Sequence, residues 1–484
     1  MNTASKTFFH GIIGLAVLSV CLTAVLFLSS GIFGSENNEL LRAPLSENFL
    51  KYIQAKKAGA QVRAFTASGH PLGLIPSPID FKYTNLRAAA LIKNLPAQYD
   101  LREMNRLTPV RNQGQCGSCW AFATMAVLES GFMPGQEMNF SEFHLMNNHG
   151  YLGGPCEGGN IFQAVAYLTR WAGPMDELDV PYRYATVHDY VEVRKHVQNI
   201  ALIPPREGPE DNRPIKEAVM KYGPVYAAMY FDDMCYDSTH YAYYNTDIEE
   251  GGHSVAIVGW DDDFDKNWFR EIPPGDGAFI VKNSWGRNWG EDGYFYVSYH
   301  DAYFACMNFC AAFKKAEPKV NYSDKYQYDF KGLTQMLGYP PSEVGWMGNI
   351  FRARRDTSLR AVSFYAMGNT TKIIIYVYTG VEPRKPTSGT LAVRKGVKFN
   401  SPGYYTVRMK KIPLLQAERF SVVVKIETEG WEYPIPVEMP IEDYTQNVKA
   451  GRGQSFISED GEIWEDVVDF DKNTNVCLKA FTRD

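Results

Sequence analysis

The chain has 484 residues, 14% of them aromatic and 45% hydrophobic, with a formal net charge of −6. That length accommodates two domains with complete cores, and the composition favours sheet-rich globular structure over disorder. The acidic balance supplies no basic field for a phosphate backbone, so nucleic acid is not an expected partner.

Residues Gly11 to Phe33 form an uncharged, mostly apolar run behind Lys6 and ahead of Glu36 and Glu39. As a helix rising about 1.5 Å per residue, the run could cross a hydrocarbon core about 30 Å thick. Two readings of residues 1–35 stand: an N-terminal membrane anchor, or a signal peptide cut near Ser29-Ser30-Gly31. Leu18-Ser19-Val20-Cys21 faintly resembles a bacterial lipoprotein cleavage site, but the apolar run continues past the cysteine. Either reading puts the rest of the chain outside the cytoplasm, secreted or membrane-anchored, where disulfides persist.

Residues 36–94 combine a short predicted helix, Leu45 to Lys57, with the extended stretch Pro71 to Asp80, in which Pro71, Pro76 and Pro78 disfavour helix. The segment is too short for a domain and reads as a pro-segment or linker. Residues 95–318 mix element types. A helix is predicted from Cys119 to Ser130, stopped at Gly131, and strands at Ser254 to Trp260, Ala278 to Lys282 and Tyr294 to Tyr299, an α+β pattern. From 319 to 484, β-branched and aromatic runs such as Ala361 to Tyr365, Lys372 to Tyr378, Tyr404 to Arg408 and Phe420 to Ile426 alternate with Gly, Pro and Asn. They predict an all-β sandwich.

The chemistry is concentrated at Gln113 to Phe122, QGQCGSCWAF. Cysteines three apart suit a zinc clip, a redox dithiol, a disulfide end or a nucleophile. Zinc needs two further ligands at matching spacing, and Cys156 stands alone without a paired histidine motif, so no metal or other cofactor is expected. A redox dithiol before a helix stays open locally. The downstream sequence decides. His253 opens the apolar run Gly252 to Trp260, and Asn283 ends the next strand within Val281-Lys-Asn-Ser-Trp285. Cys119, His253 and Asn283 are the parts of a Cys-His-Asn hydrolase.

With Leu95 to Arg102 and Cys156-Glu-Gly158-Gly159 added, the stretch Leu95 to Phe313 resembles the papain and cathepsin family of cysteine peptidases. The resemblance implies a papain-like two-lobed domain, a helical lobe plus a β-barrel-like lobe, ahead of the sandwich. It also implies peptide-bond hydrolysis through a thioester acyl-enzyme. A free cysteine of pKa about 8.5 is mostly protonated at neutral pH, whereas attack on an amide needs the thiolate. Ser118 can cap the helix and place Cys119 in its first turn, where the helix dipole favours the thiolate. His253 would stabilise it as an ion pair and later protonate the leaving amine. Asn283 would fix the imidazole tautomer, and Trp285 would shield that bond. Gln113 matches the family's side-chain oxyanion donor, with the Cys119 amide as the second.

By the same resemblance Cys116 pairs with Cys156, and Gly158 and Gly159 present backbone to an extended substrate. The first cysteine of a second family disulfide is missing at Leu145-Met-Asn-Asn148. Cys235, Cys306, Cys310 and Cys477 stay unassigned, a clip between Cys235 and the Cys306/Cys310 pair being one option. Gly73 to Tyr83 is expected to lie along the cleft as a propeptide, reversed relative to substrate, with a plain tether as the alternative. His144, His149, His188, His196, His240 and His300 are read as surface or structural. Without a His-rich insertion, an endopeptidase with a hydrophobic or aromatic side-chain preference is expected, acting on protein or peptide substrates. The C-terminal region resembles lectin-like domains of microbial family members, which implies a carbohydrate or cell-surface ligand. Trp346, Trp431 and Trp464 could stack on sugars, but core positions are expected for them. Two competing functions are a surface binding protein that uses the peptidase fold as scaffold and a thiol acyltransferase.

Overall fold

The computed structural model describes residues 38–59, 64–80, 92–182, 192–247, 249, 251–306 and 308–484. The N-terminal apolar run, with its anchor, signal and lipoprotein readings, lies outside them, as do His188 and residues 81–83 of the expected propeptide. Among the described residues, no helix is long and apolar enough to cross a membrane.

The helix Cys119–Ser130 has the sequence CWAFATMAVLES, apolar all round, and every residue except Ala126 is buried. A helix without a polar face belongs in a core, and this one packs against the helices Glu142–Asn148 and Ile161–Thr169 and the strand Gly252–Asp261. The expected boundaries hold, with Gly131 as the C-cap in right-handed geometry. The Ser118 cap does not form. Its hydroxyl makes no bond to the helix amides and lies 2.9 Å from the Tyr182 hydroxyl instead. The helix Ile161–Thr169, unassigned from sequence, opens on a capping box in which Asn160 and Gln163 satisfy each other's backbone amides.

The β lobe is antiparallel apart from the short strand Ala242–Tyr243, which pairs in parallel with Tyr294–Ser298. Strand Gly252–Asp261 runs between Val225–Tyr230 and Ala278–Lys282, with Met229 opposite His253 and Ala256 opposite Lys282. This register puts Asn283, the residue after Lys282, at the His253 end of the sheet.

The C-terminal region is a β sandwich, as expected. One layer is a six-stranded sheet built on Val344–Arg352, Thr371–Thr379, Thr390–Phe399 and Arg419–Thr428. In Thr371–Thr379 the residues Ile373, Ile375 and Val377 face inward and are buried, the period-two pattern of a half-covered strand. They meet Leu359, Val362 and Phe364 of the opposing layer in one apolar core. That layer belongs to a 13-stranded sheet shared with the β lobe: Gly403 pairs with Ala201 and Tyr404 with Ile200. Two separate domains were expected, so this main-chain continuity is a departure. Trp431 is a core residue, whereas Trp346 and Trp464 are only partly buried.

Residues 38–80 are fastened to both halves. Leu41 and Arg42 pair with Gly338 and Leu337 of the C-terminal region. The helix Glu47–Lys57, capped by Ser46, sets Phe49 edge-on to Tyr444 at 5.1 Å.

Candidate active site

Cys119 is the first residue of its helix and is fully buried. Behind it, the disulfide Cys116–Cys156, expected from the resemblance, ties the loop before the helix to the Gly158-Gly159 turn. Cys235, Cys306, Cys310 and Cys477 are free thiols, so the suggested clip is not formed.

His253 Nε2 lies 2.8 Å from Asn283 Oδ1. That oxygen also accepts the Ser284 amide at 2.7 Å, which fixes it as the acceptor; the imidazole therefore carries its proton on Nε2 and leaves Nδ1 bare. Trp285 stacks on the ring at 4.6 Å and 27°. The pair lies in a dry interior, with His253 and Asn283 at 0% and 3% exposure.

Gln113 is held from three sides. Its amide N–H donates to the Ser284 carbonyl at 2.8 Å, its Oε1 accepts the Ser284 hydroxyl at 2.6 Å, and its carbonyl accepts the Tyr182 hydroxyl. Nε2 is thereby turned toward the Cys116 carbonyl at 2.9 Å and the Pro71 carbonyl at 3.3 Å. Arg111 anchors the same loop through Glu129 at 2.9 Å and Glu142 at 2.8 Å, both buried.

The cleft is covered by the chain's own residues 70–76. The Gly73 and Leu74 amides donate to the Gly252 carbonyl at 3.1 and 3.0 Å, the Gly159 amide donates to Gly73, and the Ile75 amide donates to Gly159, both at 2.9 Å. Leu74 and Gly159 pair in parallel. The approach is closest at Gly73, where a Cβ would lie 2.2 Å from the Gly117 carbonyl oxygen. Gly158 has φ +93°, and a Cβ there would meet the Gly73 oxygen at 2.8 Å. Trp285 Nε1 donates to the Pro71 carbonyl at 3.2 Å.

This cover changes the electrostatics expected for the nucleophile. The Cys119 sulfur takes hydrogen bonds from Ser254 and from the Trp120 and Gly73 main chains, but burial dominates and pushes the thiol up to about 11. Burial also holds His253 down at about 4. Nδ1 of His253 has no partner among the described residues, so the expected ion pair is not formed here. The reason is desolvation: with water excluded, both groups are favoured neutral.

His70 received no role from the sequence. It stacks on Trp285, the ring that also stacks on His253, at 4.6 Å and 11°. The adjoining Ser68 donates its amide and hydroxyl to Asp233 at 2.6 and 2.8 Å. Only a Gly-His-Pro turn signal marked this position in the sequence. The other described histidines are packed among other elements or lie toward the surface. His144 bonds Tyr167 at 2.7 Å, His149 accepts the Tyr151 amide at 3.1 Å, and His196 stacks on Trp171 at 3.6 Å. His240 lies 3.2 Å from Asp237 on the surface, and His300 is partly buried.

The profile of the papain family cysteine proteases matches residues 95–314. The viral cathepsin of Cydia pomonella granulosis virus is 30% identical over 285 residues, covering 54% of this chain and 81% of that protein. The chain belongs to the papain family of cysteine proteases. A second profile, a lectin like domain, matches residues 325–482. Procathepsin L of Rattus norvegicus is 30% identical over 232 residues, 43% of this chain and 62% of its own length. The viral cathepsin of Choristoneura fumiferana nuclear polyhedrosis virus is also 30% identical, over 59% of its length, so the chain spans about three fifths of these two relatives. Among solved structures, the cysteine protease and lectin-like domains of Cwp84, a surface layer associated protein of Clostridium difficile, share the fold. The TM-score is 0.78 at 24% identity, over 92% of this chain and 98% of that one. Clostridial Cwp84 after propeptide cleavage matches with TM-score 0.71 and 26% identity, over 80% of this chain and 99% of that one.

Proposed function

We propose that this papain-family chain is a cysteine endopeptidase that acts outside the cytoplasm and is held latent by its own residues 36–94. The proposed division is 1–35 signal peptide or membrane anchor, 36–94 pro-segment, 95–318 peptidase domain and 319–484 lectin-like domain. The observation that carries the reading is the His253 to Asn283 bond at 2.8 Å, roofed by Trp285, beside the helix that begins at Cys119.

Once the cover leaves and water enters, the desolvation that favours the neutral pair falls away. The helix terminus and a protonated His253 then favour the thiolate. Cys119 attacks the scissile carbonyl, and the new oxyanion accepts from Gln113 Nε2 and the Cys119 amide. Preorganised donors of this kind are worth about 3 to 4 kcal/mol each. His253 protonates the leaving amine, the acyl group remains as a thioester on Cys119, and His253 then activates the water that hydrolyses it. Asn283 keeps the ring oriented through both steps. Gly159, which bonds Gly73 and Ile75 in the covered state, and the adjacent Gly158 are the proposed main-chain partners of substrate.

The Cys116–Cys156 disulfide supports an oxidising, extracytoplasmic location. The lectin-like region is proposed to bind a carbohydrate or cell-surface ligand, and the N-terminal run to contact the membrane.

The test is cleavage of an unfolded protein substrate after proteolytic removal of the pro-segment. Cleavage inside the substrate chain that disappears in Cys119→Ala supports the reading. No cleavage by a folded, trimmed protein refutes it, and acyl transfer to added amines in place of hydrolysis would make it an acyltransferase.

A further inference from the structure

Away from the cleft, a cavity of about 270 Å³ opens where the β lobe meets the C-terminal sandwich. Its floor is apolar, with Leu202, Pro214 and Ala218, and one wall carries Phe399 stacked on Tyr405 at 3.9 Å and 24°. Three lysines line it: Lys221 at the end of the helix Arg213–Tyr222, Lys314 in the strand Cys310–Glu317, and Lys398 in the strand Thr390–Phe399. Glu217 is the only acid among the described lining residues, and its carboxylate is engaged by Arg213 at 3.0 Å and the Ile92 amide at 3.1 Å.

Among the described residues, none of the three lysines has a carboxylate partner in an ion pair. Among the described residues, the polar partner of Lys314 is the Tyr405 hydroxyl, 3.3 Å away, and its ammonium sits 4.6 Å from the Tyr405 ring centre and 5.7 Å from that of Tyr222. Burial and the charge of Lys221 hold Lys314 down at about 8. An ammonium has three protons to place, so at least two of those on Lys314 remain for an acceptor inside the cavity. Cations gathered over an apolar, aromatic-walled floor favour a ligand with a negative head and an apolar face, and the space exceeds that of a bare ion.

We infer that this cavity is a binding site for a small organic anion, a carboxylate or phosphate on a cyclic or hydrocarbon body, with its charge on Lys314, Lys221 and Lys398 and its apolar face on Leu202 and Phe399. An acidic sugar and an amphipathic carboxylate share this chemistry. None of these residues belongs to the proposed peptidase site, so the inference stands or falls independently of that activity. A bound ligand would touch both the β lobe and the Phe399–Gly403 turn of the lectin-like region, which the Gly403 to Ala201 pairing already joins.

The experiment titrates the full chain by ligand-observed NMR with glucuronate against glucose, with cyclohexanecarboxylate against cyclohexylmethanol, and with inorganic phosphate alone. The inference expects at least one carboxylate to bind about tenfold more tightly than its neutral counterpart and than phosphate, with affinity falling as salt rises; the carboxylate that binds identifies the source. Lys314→Met should weaken that binding about tenfold or more. Lys398→Gln, a change on an exposed strand residue that leaves the core untouched, should weaken it in the same direction. Equal binding of neutral and charged probes, phosphate binding as tightly as both carboxylates, no carboxylate binding at millimolar concentration, or full affinity in a folded Lys398→Gln protein would each overturn it.

Discussion

Replacing Gly73 with alanine probes the cover over the cleft at its closest approach. The new Cβ would stand 2.2, 2.4 and 2.8 Å from the oxygen, carbon and Cα of Gly117, all backbone of the loop that the disulfide secures. Since that loop cannot give, the pro-segment must move. Four main-chain bonds depend on its position: Gly73 and Leu74 to Gly252, Gly159 to Gly73, and Ile75 to Gly159. At about 0.5 to 1.5 kcal/mol net for each, displacement costs about 2 to 6 kcal/mol of latency. The lower bound corresponds to about a 30-fold larger open population. The assay is the rate of Cys119 alkylation in the uncleaved chain at neutral pH. Gly73→Ala should react about 30-fold faster or more, with the thermal midpoint of the peptidase core little changed. An unchanged rate in a folded variant would refute the idea that this backbone contact closes the site.

Three further outcomes are expected. Tyr444→Ala removes the ring against Phe49 and the hydroxyl that accepts from Asn160 at 2.9 Å, so limited proteolysis should cut the pro-segment sooner while the trimmed enzyme keeps its activity. Cys116→Ser with Cys156→Ser opens a 40-residue loop and should cost about 2 to 4 kcal/mol in urea unfolding. Acid should also destabilise the fold. His149 and His196 are held at about 4 by burial, against an ordinary value of 6.5. Depressed folded-state values mean that the unfolded chain gains protons first, so stability is lost as pH falls from 6.5 toward 4. For His149 the loss is up to about 3 kcal/mol. Asp301, raised to about 6 by burial, works in the opposite sense, so the informative comparison is between wild type and His196→Phe, whose stability should fall less between pH 7 and pH 4.5.

The parts legible in the sequence were those whose signal is local. The run from Cys119 to Ser130 is apolar on every face and stops at a glycine, and the strand Ala278–Lys282 is a short apolar run with a turn-rich flank; both have the expected bounds. The sandwich strands were visible as alternating runs, although Tyr404 to Arg408 is only the first half of a longer strand, Gly403–Leu414. What stayed hidden depends on partners distant in sequence. Gly403 meets Ala201 across about 200 residues, and no local pattern announces that two sheets will merge. Ser118 looked like a cap because its type and position suit one, but Tyr182 competes for its hydroxyl. His70 gains its place only when Trp285 is folded beneath it. The Cys119 and His253 motifs named the chemistry, whereas the opposite shifts of the covered pair, thiol up and imidazole down, follow from burial, which a motif does not carry.

The most direct measurement is the pH dependence of Cys119 alkylation after the pro-segment has been removed. An activated Cys119 and His253 pair predicts rapid labelling well below pH 7, lost in His253→Ala, and slow labelling of the uncleaved chain at the same pH. Labelling of the trimmed protein that rises only near pH 8 to 9, as for an ordinary thiol, and is indifferent to His253→Ala would contradict it.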